Sequence, residues 1–252
     1  MYWFKRGINM KILSIGNSFS QDAHKWLHDI AVTDGYDLET TNLFIPSCSL
    51  EMHCNNLLSN APDYDFEGNG GVLIKKASIK EAIENDVFDI VTVQQVSGLS
   101  GIKESYMPYI TQLVDYVREK QPKAKIYFHR TWSYEIDSKW PGFVNYNNNQ
   151  KEMFEKIRLV SEEITKLIGA EIIPVGDAIQ SLRETTKEFN YLDGGISLCR
   201  DGGHMSFDYG RFAASAVWYK VFTGRKVNIK KFSELNKEFD INLLNVIINN
   251  IL

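Results

Sequence analysis

Apolar and polar residues alternate along this chain in blocks that predict strands and helices in turn. Short apolar runs, typical of buried strands, lie at residues 12–15, 38–45, 88–93, 125–128 and 171–175. Stretches with apolar residues at helical spacing lie at residues 20–33, 105–120, 149–168 and 209–222, and a further short helix is expected within 230–252. Strands that alternate with helices favour parallel βαβ units. The pattern therefore predicts an α/β fold with parallel strands.

One segment interrupts this alternation. Residues 63–77 hold three glycines between two extended pieces, which indicates a hairpin inserted into a crossover connection. The core pattern begins at Met10, so we expect residues 1–9 to be an N-terminal extension and residues 10–252 to form a single domain. Neither a repeat nor a linker divides the sequence.

The composition is that of an ordinary globular protein, with 44% hydrophobic and 24% charged residues among 252. A formal net charge of −4 and the lack of a basic stripe argue against nucleic acid as a partner. Cys48, Cys54 and Cys199 lack CxxC spacing, which argues against a disulfide framework or a zinc site and fits a reducing compartment. No apolar run has the length of a membrane span or a signal peptide. A cytoplasmic protein without a membrane partner is the default expectation, although a signal already removed would leave no trace.

Polar residues follow four of the predicted strands at the point where each strand ends. Ser18 follows the first strand, residues 48–49 the second, residues 94–95 the third and residues 129–132 the fourth. Ligands of open parallel sheets bind at the edge formed by the carboxyl ends of the strands. We therefore expect these polar groups to lie together at one edge.

Two distant motifs supply the groups needed for acyl transfer through a serine ester. Ser18 lies in the turn between the first strand and its helix, and His204 closes the glycine-rich tetrad 201–204. Asp201 can curl back to hold the imidazole at Nδ1, leaving Nε2 free to accept a proton from Ser18. The same residues also admit simpler roles, Ser18 as a helix cap and Asp201 as an Asx-turn residue.

Other polar and aromatic residues at this edge have two interpretations each. Gln94 and Gln95 could donate to an oxyanion or hydrogen-bond loop backbone. Trp132 and Tyr134 could form a wall that stacks on a sugar or a lid on the core, and composition favours the lid. The sequence holds no motif for a metal or an organic cofactor, so neither is expected.

The two motifs resemble sequence blocks of the SGNH, or GDSL-type, hydrolases. Residues 11–20 resemble the family's first block in its GNS form, and residues 201–204 resemble its last block, DxxH. The chain is most similar to an uncharacterised bacterial subgroup with an IGNSFS first block. The resemblance implies a three-layer α/β/α, flavodoxin-like fold with a five-stranded parallel sheet. It also implies Ser18 as nucleophile, His204 as base and Asp201 as the orienting acid.

The same resemblance suggests which groups hold the oxyanion. The family places a backbone amide after the second strand, so the amides of Ser18 and of Cys48 or Ser49 are expected donors. Related carbohydrate acetylesterases use a glutamine after the third strand, which makes Gln94 the expected side-chain donor and Gln95 the second choice. Their place at the edge formed by the strand ends, rather than the resemblance, makes four residues the expected substrate contacts: Asn17, Arg130, Trp132 and Tyr134.

A serine esterase is the function that these features favour, acting on an O-acyl ester, most simply an O-acetyl ester, of a carbohydrate. Its partner would be a small-molecule or oligosaccharide ester, because the expected edge is polar and aromatic without a long apolar lid. A thioesterase or lysophospholipase-type hydrolase is the nearest alternative. A non-catalytic ligand-binding domain is another, because the second and third blocks differ from the family pattern. The sequence does not determine the oligomeric state.

Overall fold

The computed structural model describes residues 10–251, and the expected extension at residues 1–9 lies outside them. The strands are β1 (Met10–Gly16), β2 (Leu38–Phe44), β3 (Tyr64–Gly68), β4 (Val72–Ala77), β5 (Ile90–Val93), β6 (Lys125–His129) and β7 (Glu171–Ile173). The α-helices are α1 (Ser18–His24), α2 (Leu27–Thr33), α3 (Leu50–Ser59), α4 (Ile79–Asn85), α5 (Tyr109–Lys120), α6 (Gln150–Ile168), α7 (Val175–Thr185), α8 (Tyr209–Thr223), α9 (Ile229–Leu235) and α10 (Ile241–Asn250).

The strands form one sheet in the order β4-β3-β2-β1-β5-β6-β7. β1, β2, β5, β6 and β7 pair in parallel, so the implied parallel arrangement of five strands is confirmed. The predicted hairpin consists of β3 and β4, and it pairs antiparallel with β2. The sheet therefore has seven strands rather than five, because the hairpin covers an edge of β2 whose backbone groups would otherwise lack partners.

Helices cover both faces of this sheet. Successive residues of β1 point to opposite faces, and Ile12 packs in a core with α1, α2, α7 and α8. Leu13 and Ile15 pack on the other face with α3, α4 and α5. The two cores give the three-layer α/β/α architecture. Within residues 10–251, no helix is both long and apolar enough to cross a bilayer.

The helices between β1 and β5 differ from the predicted pattern. The helix expected over residues 20–33 is broken into α1 and α2 at Trp26, whose backbone N–H donates to Ser215 Oγ at 3.1 Å. α3 and α4 are short helices that the periodicity does not reveal. Each begins at a serine, Ser49 or Ser78, whose hydroxyl accepts a backbone N–H of the first turn.

Three histidines, His24, His53 and His129, lie in the core without exposed surface. Burial lowers the pKa of each to about 3, because the charged imidazolium would lose its hydration. His53 Nδ1 lies 2.8 Å from the hydroxyl of Tyr64, whereas its Nε2 has no partner within residues 10–251. All three rings are therefore neutral in the folded protein near pH 7.

We expect the folded protein to lose stability on mild acidification through these histidines. An unfolded histidine titrates near its ordinary pKa of about 6.5, whereas the folded ones take up a proton only near pH 3. Between those values the unfolded state binds more protons. The free energy of unfolding should therefore fall with pH by about 1.4 kcal/mol per pH unit for each histidine.

His53→Asn should remove one such contribution. Urea denaturation of both proteins at several pH values between roughly 6 and 4.5 measures the two slopes. Equal slopes for His53→Asn and the unchanged protein would contradict a neutral, buried His53.

Candidate active site

Ser18 lies at the carboxyl end of β1, where the chain turns into α1. Asn17 caps this helix, since its Oδ1 accepts the Phe19 N–H at 3.1 Å, so the cap role left open for Ser18 belongs to its neighbour. The partly exposed Ser18 hydroxyl instead donates to Nε2 of His204, 186 positions later, at 2.8 Å. The fold has brought the two sequence motifs into direct contact.

His204 and Asp201 form one hydrogen-bonded turn. His204 Nδ1–H donates to Asp201 Oδ2 at 2.7 Å. Asp201 Oδ1 accepts the backbone N–H groups of Gly203 at 3.0 Å and of His204 at 2.8 Å. The Asx turn and the contact with the imidazole thus coexist, one on each carboxylate oxygen. With its proton on Nδ1, the ring presents Nε2 as an acceptor to Ser18.

The Asp201 carboxylate is held in its ionised form. Burial raises its pKa, but the hydrogen bonds from the His204 side chain and from the backbone N–H groups of His204 and Gly203 outweigh burial and hold the pKa below its usual value. The His204 side chain is 23% exposed and that of Asp201 42%. The pair therefore remains accessible from solvent while its geometry is fixed.

The two glycines of the tetrad are required by its geometry. Gly202 has a φ of +82°, in the left-handed region that residues with a Cβ rarely adopt. A Cβ on Gly203 would lie 2.5 Å from the ring of Trp140. The turn and the neighbouring ring together account for two adjacent glycines between the acid and the histidine.

A buried carboxylate holds this turn against α1. Asp22 lies one helical turn after Ser18 and has no exposed surface. It accepts the Met205 N–H at 2.9 Å, Arg200 Nη1 at 3.0 Å and Arg211 Nε at 2.7 Å. Since Met205 directly follows the histidine of the tetrad, Asp22 determines how far that histidine lies from Ser18. In the sequence, Asp22 is only one polar residue on a helix, and no pattern distinguishes it.

Hydrogen bonds beneath the serine run from Asn17 through Gln94 to His129. Asn17 Oδ1 already accepts the Phe19 N–H, so Gln94 Nε2, at 2.6 Å, donates to it. Gln94 Oε1 must then accept from His129 Nδ1–H, at 2.9 Å. Asn17 Nδ2 also donates to the backbone oxygen of Cys48 at 3.0 Å. One buried network of hydrogen bonds therefore joins the carboxyl ends of β1, β2, β5 and β6.

Three of the expected oxyanion donors remain available. The backbone N–H groups of Ser18 and Ser49 have no acceptor within residues 10–251. The Gln94 side chain is buried, and its Nε2 donates one N–H to Asn17, while the second N–H has no acceptor in the same range. These groups belong to the segments that follow β1, β2 and β5.

The structure assigns other roles to Cys48 and Gln95, which corrects two expected donors. The backbone N–H of Cys48 donates to Ile45 O at 3.3 Å and closes the turn after β2. Gln95 Nε2 donates to both the backbone oxygen and the hydroxyl of Ser105, each at 3.0 Å. Gln95 Oε1 accepts the Leu50 N–H at 3.0 Å. Gln95 thus anchors loops, because all of its polar groups are occupied there.

The expected substrate contacts also require correction, because all four side chains are buried: Asn17, Arg130, Trp132 and Tyr134. Arg130 Nη1 pairs with Asp177 at 2.7 Å, which joins the loop after β6 to α7. Trp132 stacks on Phe19, with ring centroids 4.2 Å apart, and donates Nε1–H to Gly203 O at 2.7 Å. The lid interpretation is therefore correct for the aromatic residues, which support the tetrad from inside.

Trp140 is the aromatic residue that lies at the site without being expected there. Its ring is partly exposed and packs edge-on against His204, with centroids 4.6 Å apart. Its Nε1–H donates to Asp201 O at 3.0 Å. In the sequence, Trp140 and Trp132 lie in the same loop after β6. Nothing in the sequence of that loop indicates which of the two rings reaches the site.

Comparison with known proteins shows which family this chain belongs to. The model of a family described as a domain of unknown function, DUF4886, matches residues 11–238. A crystal structure of a DUF4886 family protein from Bacteroides uniformis is 35% identical in sequence, with a TM-score of 0.80, and the match covers 86% of this chain and 84% of that one. A search of curated protein sequences gave no significant match.

More distant structures share the fold. One is a candidate SGNH hydrolase from Slackia heliotrinireducens, at 17% identity and a TM-score of 0.60, covering 85% of this chain and 99% of that one. Another is a catalytic mutant of an acetylxylan esterase from Geobacillus stearothermophilus, at 13% identity and a TM-score of 0.51, covering 94% of this chain and 98% of that one. The fold implied by the resemblance to SGNH hydrolases is confirmed.

Removal of the Asp22 carboxylate should strongly destabilise the protein. Asp22→Ala would leave the guanidinium groups of Arg200 and Arg211 without their buried partner, at a cost of about 3–5 kcal/mol in the free energy of unfolding. Urea denaturation measures this loss. Glu155→Ala, which removes an exposed partner of Arg158, should leave stability unchanged. An Asp22→Ala loss as small as that of the control would show that the carboxylate does not hold the turn.

Proposed function

We propose that this chain, which belongs to the DUF4886 family, is a serine esterase that removes O-acyl groups, most simply O-acetyl groups, from carbohydrates. The observation that carries the proposal is the hydrogen-bond chain from Ser18 Oγ to His204 Nε2 at 2.8 Å and from His204 Nδ1 to Asp201 Oδ2 at 2.7 Å. A serine within reach of a base, which is itself oriented by an acid, is the arrangement that activates a hydroxyl nucleophile.

The first half of the reaction forms an acyl-enzyme. Ser18 Oγ attacks the carbonyl carbon of the ester while His204 Nε2 accepts the hydroxyl proton, and the carbonyl electron pair moves to the oxygen. The ionised Asp201 stabilises the resulting imidazolium. As the tetrahedral intermediate collapses, His204 returns the proton to the leaving alcohol oxygen, and the acyl group remains on Ser18.

The second half repeats these steps with water. His204 Nε2 accepts a proton from a water molecule whose oxygen attacks the acyl carbon. Collapse of the second intermediate breaks the bond to Ser18, and His204 returns the proton to Ser18 Oγ. The products are the free carbohydrate alcohol and the carboxylic acid, and the enzyme is restored.

Backbone and side-chain N–H groups would hold the developing oxyanion. The available donors are the N–H groups of Ser18 and Ser49 and the second N–H of Gln94 Nε2. Asn17 and His129 act on Gln94 as positioning residues, since they fix which end of its amide donates. Donors held by a buried network are pre-oriented, so little reorganisation is required as charge develops.

The surroundings of the acid favour a hydroxyl-rich alcohol over a lipid. A depression of about 300 Å³ beside Asp201 is lined mainly by polar side chains, among them Asp137, Ser138, Lys139 and Arg200. An acyl chain in this depression would displace water from these polar groups without replacing its hydrogen bonds, whereas the hydroxyl groups of a sugar would replace them. The acetylxylan esterase noted above has the same fold, which is compatible with this choice.

Ser18→Ala should abolish the activity. A fluorophosphonate probe should add once to the unchanged protein, at Ser18, and not to the variant, as measured by intact-protein mass spectrometry with peptide mapping. Hydrolysis of 4-nitrophenyl acetate should fall by about 10³-fold or more. Ser59→Ala, at an exposed serine on α3, is the matched control and should keep both properties. A folded protein that takes up no probe would favour a ligand-binding domain, and an adduct on another serine would place the site elsewhere.

His204→Ala should reduce kcat for 4-nitrophenyl acetate at least as much as Asp201→Ala does. The imidazole transfers the proton, whereas the carboxylate only orients the ring and compensates its charge. Steady-state kinetics of the two variants test this order. A larger loss for Asp201→Ala than for His204→Ala would contradict the assigned roles.

A further inference from the structure

A larger cavity lies next to the depression that borders Asp201. It has a volume of about 570 Å³ and lies between the loop after β6, the start of α6, α7 and the segment that follows α7. This volume is within the range of about 300–1,000 Å³ that is typical of small-ligand sites. Its floor includes the buried Glu135 and Arg183, whose Oε2 and Nη2 atoms lie 3.6 Å apart. None of the steps described above uses this cavity.

The lining is rich in amides and balanced in charge. The side-chain amides are those of Asn148, Asn149, Gln150, Gln180 and Asn190. Two carboxylates, from Glu135 and Glu184, balance two cations, from Lys151 and Arg183. Ile136, Leu192 and Tyr191 add apolar surface between these polar groups. A lining that mixes amides with apolar surface and carries no net charge suits a neutral ligand with both hydroxyl groups and apolar faces, as a sugar has.

Several of these groups are available to a ligand. Within residues 10–251, the Asn148 side chain, Asn149 Nδ2 and Asn190 Oδ1 have no hydrogen-bond partner in the protein. Tyr191 adds an aromatic face that is 39% exposed, and its hydroxyl is held by Asp137 Oδ2 at 3.1 Å. A fixed ring beside free amides provides both stacking and hydrogen bonds for a sugar.

The cavity shares part of its wall with the depression beside Asp201. Glu135 and Tyr191 line both the cavity and the depression of about 300 Å³ that reaches Asp201 and Gly202. The backbone N–H of Glu135 donates to Gly202 O at 2.8 Å, so the wall of the cavity is bonded to the tetrad turn. The cavity and the depression therefore lie side by side, on the side of the tetrad turn that carries Asp201 and Gly202.

We propose that this cavity binds the unmodified sugars of a neutral oligosaccharide whose acylated sugar lies at Ser18. The proposal rests on the proposed esterase function and extends it from the acyl group to the chain that carries it. It makes Tyr191 and Asn148 specificity residues, because they contact sugars away from the reacting ester. The natural substrate is then an acylated oligosaccharide or polysaccharide rather than an acylated monosaccharide.

The test compares substrates of different length in matched variants. For the unchanged protein, kcat/KM should be higher for partially acetylated xylotetraose than for acetylated xylose. Tyr191→Ala combined with Asn148→Ala should lower the ratio of kcat/KM for the tetrasaccharide to that for 4-nitrophenyl acetate by roughly tenfold, mainly through KM. Asn55→Ala, an exposed asparagine outside the cavity, should leave the ratio unchanged. An unchanged ratio in the double variant would overturn the proposal.

A binding measurement separates this proposal from the esterase proposal. Titration calorimetry of the Ser18→Ala protein with xylotetraose, cellotetraose and chitotetraose should show binding of at least one, weakened by the two cavity substitutions. Binding without any esterase activity in the unchanged protein would support the cavity and refute the esterase. Esterase activity without binding of any of the three would refute the cavity.

Discussion

The arrangement of the candidate site depends on one buried carboxylate, that of Asp22. A charge without exposed surface is tolerated only when its partners are complete, and here they are two guanidinium groups and a backbone N–H. Arg200 precedes the tetrad and Arg211 lies in the helix that follows it, so the two arginines hold the turn from both sides. Ser18 lies one turn before Asp22 on the same helix. The ion pairs that stabilise the fold therefore also fix the distance between the serine and the histidine.

A second constraint comes from the polar residues buried at the ends of the parallel strands. Asn17 and Gln94 directly follow β1 and β5, and His129 is the last residue of β6. One line of hydrogen bonds joins the three, because Gln94 accepts from His129 and donates to Asn17. The bond from His129 Nδ1–H to Gln94 Oε1 keeps the Gln94 amide in its orientation. Four strands are thereby held in register at the edge where Ser18 lies. The site is rigid because its lower layer is buried, fully oriented and linked across the sheet.

The parts of the site that could be predicted from the sequence are those set by local geometry. The turn after β1 and the tetrad each occupy a few consecutive residues, and glycines and short polar side chains are typical of such tight turns. Asp201 and His204 lie within one turn, so their contact is nearly a property of that turn. Arg130 was expected to contact the substrate because it follows a strand, whereas Trp132 and Tyr134 had two interpretations, and all three side chains are buried. The position of a residue just after a strand does not determine whether its side chain packs into the core or faces solvent.

The sequence alone determined where the parallel strands lie along the chain and that they form the core of the sheet. It also determined which three residues meet at the edge of the sheet, namely Ser18, Asp201 and His204. Periodicity fixes which face of each element is buried, and strands joined by helices leave few ways to build a sheet. The tertiary structure decided that the hairpin adds two strands, that Asp22 joins the distant motifs, and that Trp140 rather than Trp132 lies at the surface. These outcomes depend on contacts between residues far apart in the chain. Whether a polar or aromatic side chain meets solvent, a ligand or a partner is settled only when the layers pack.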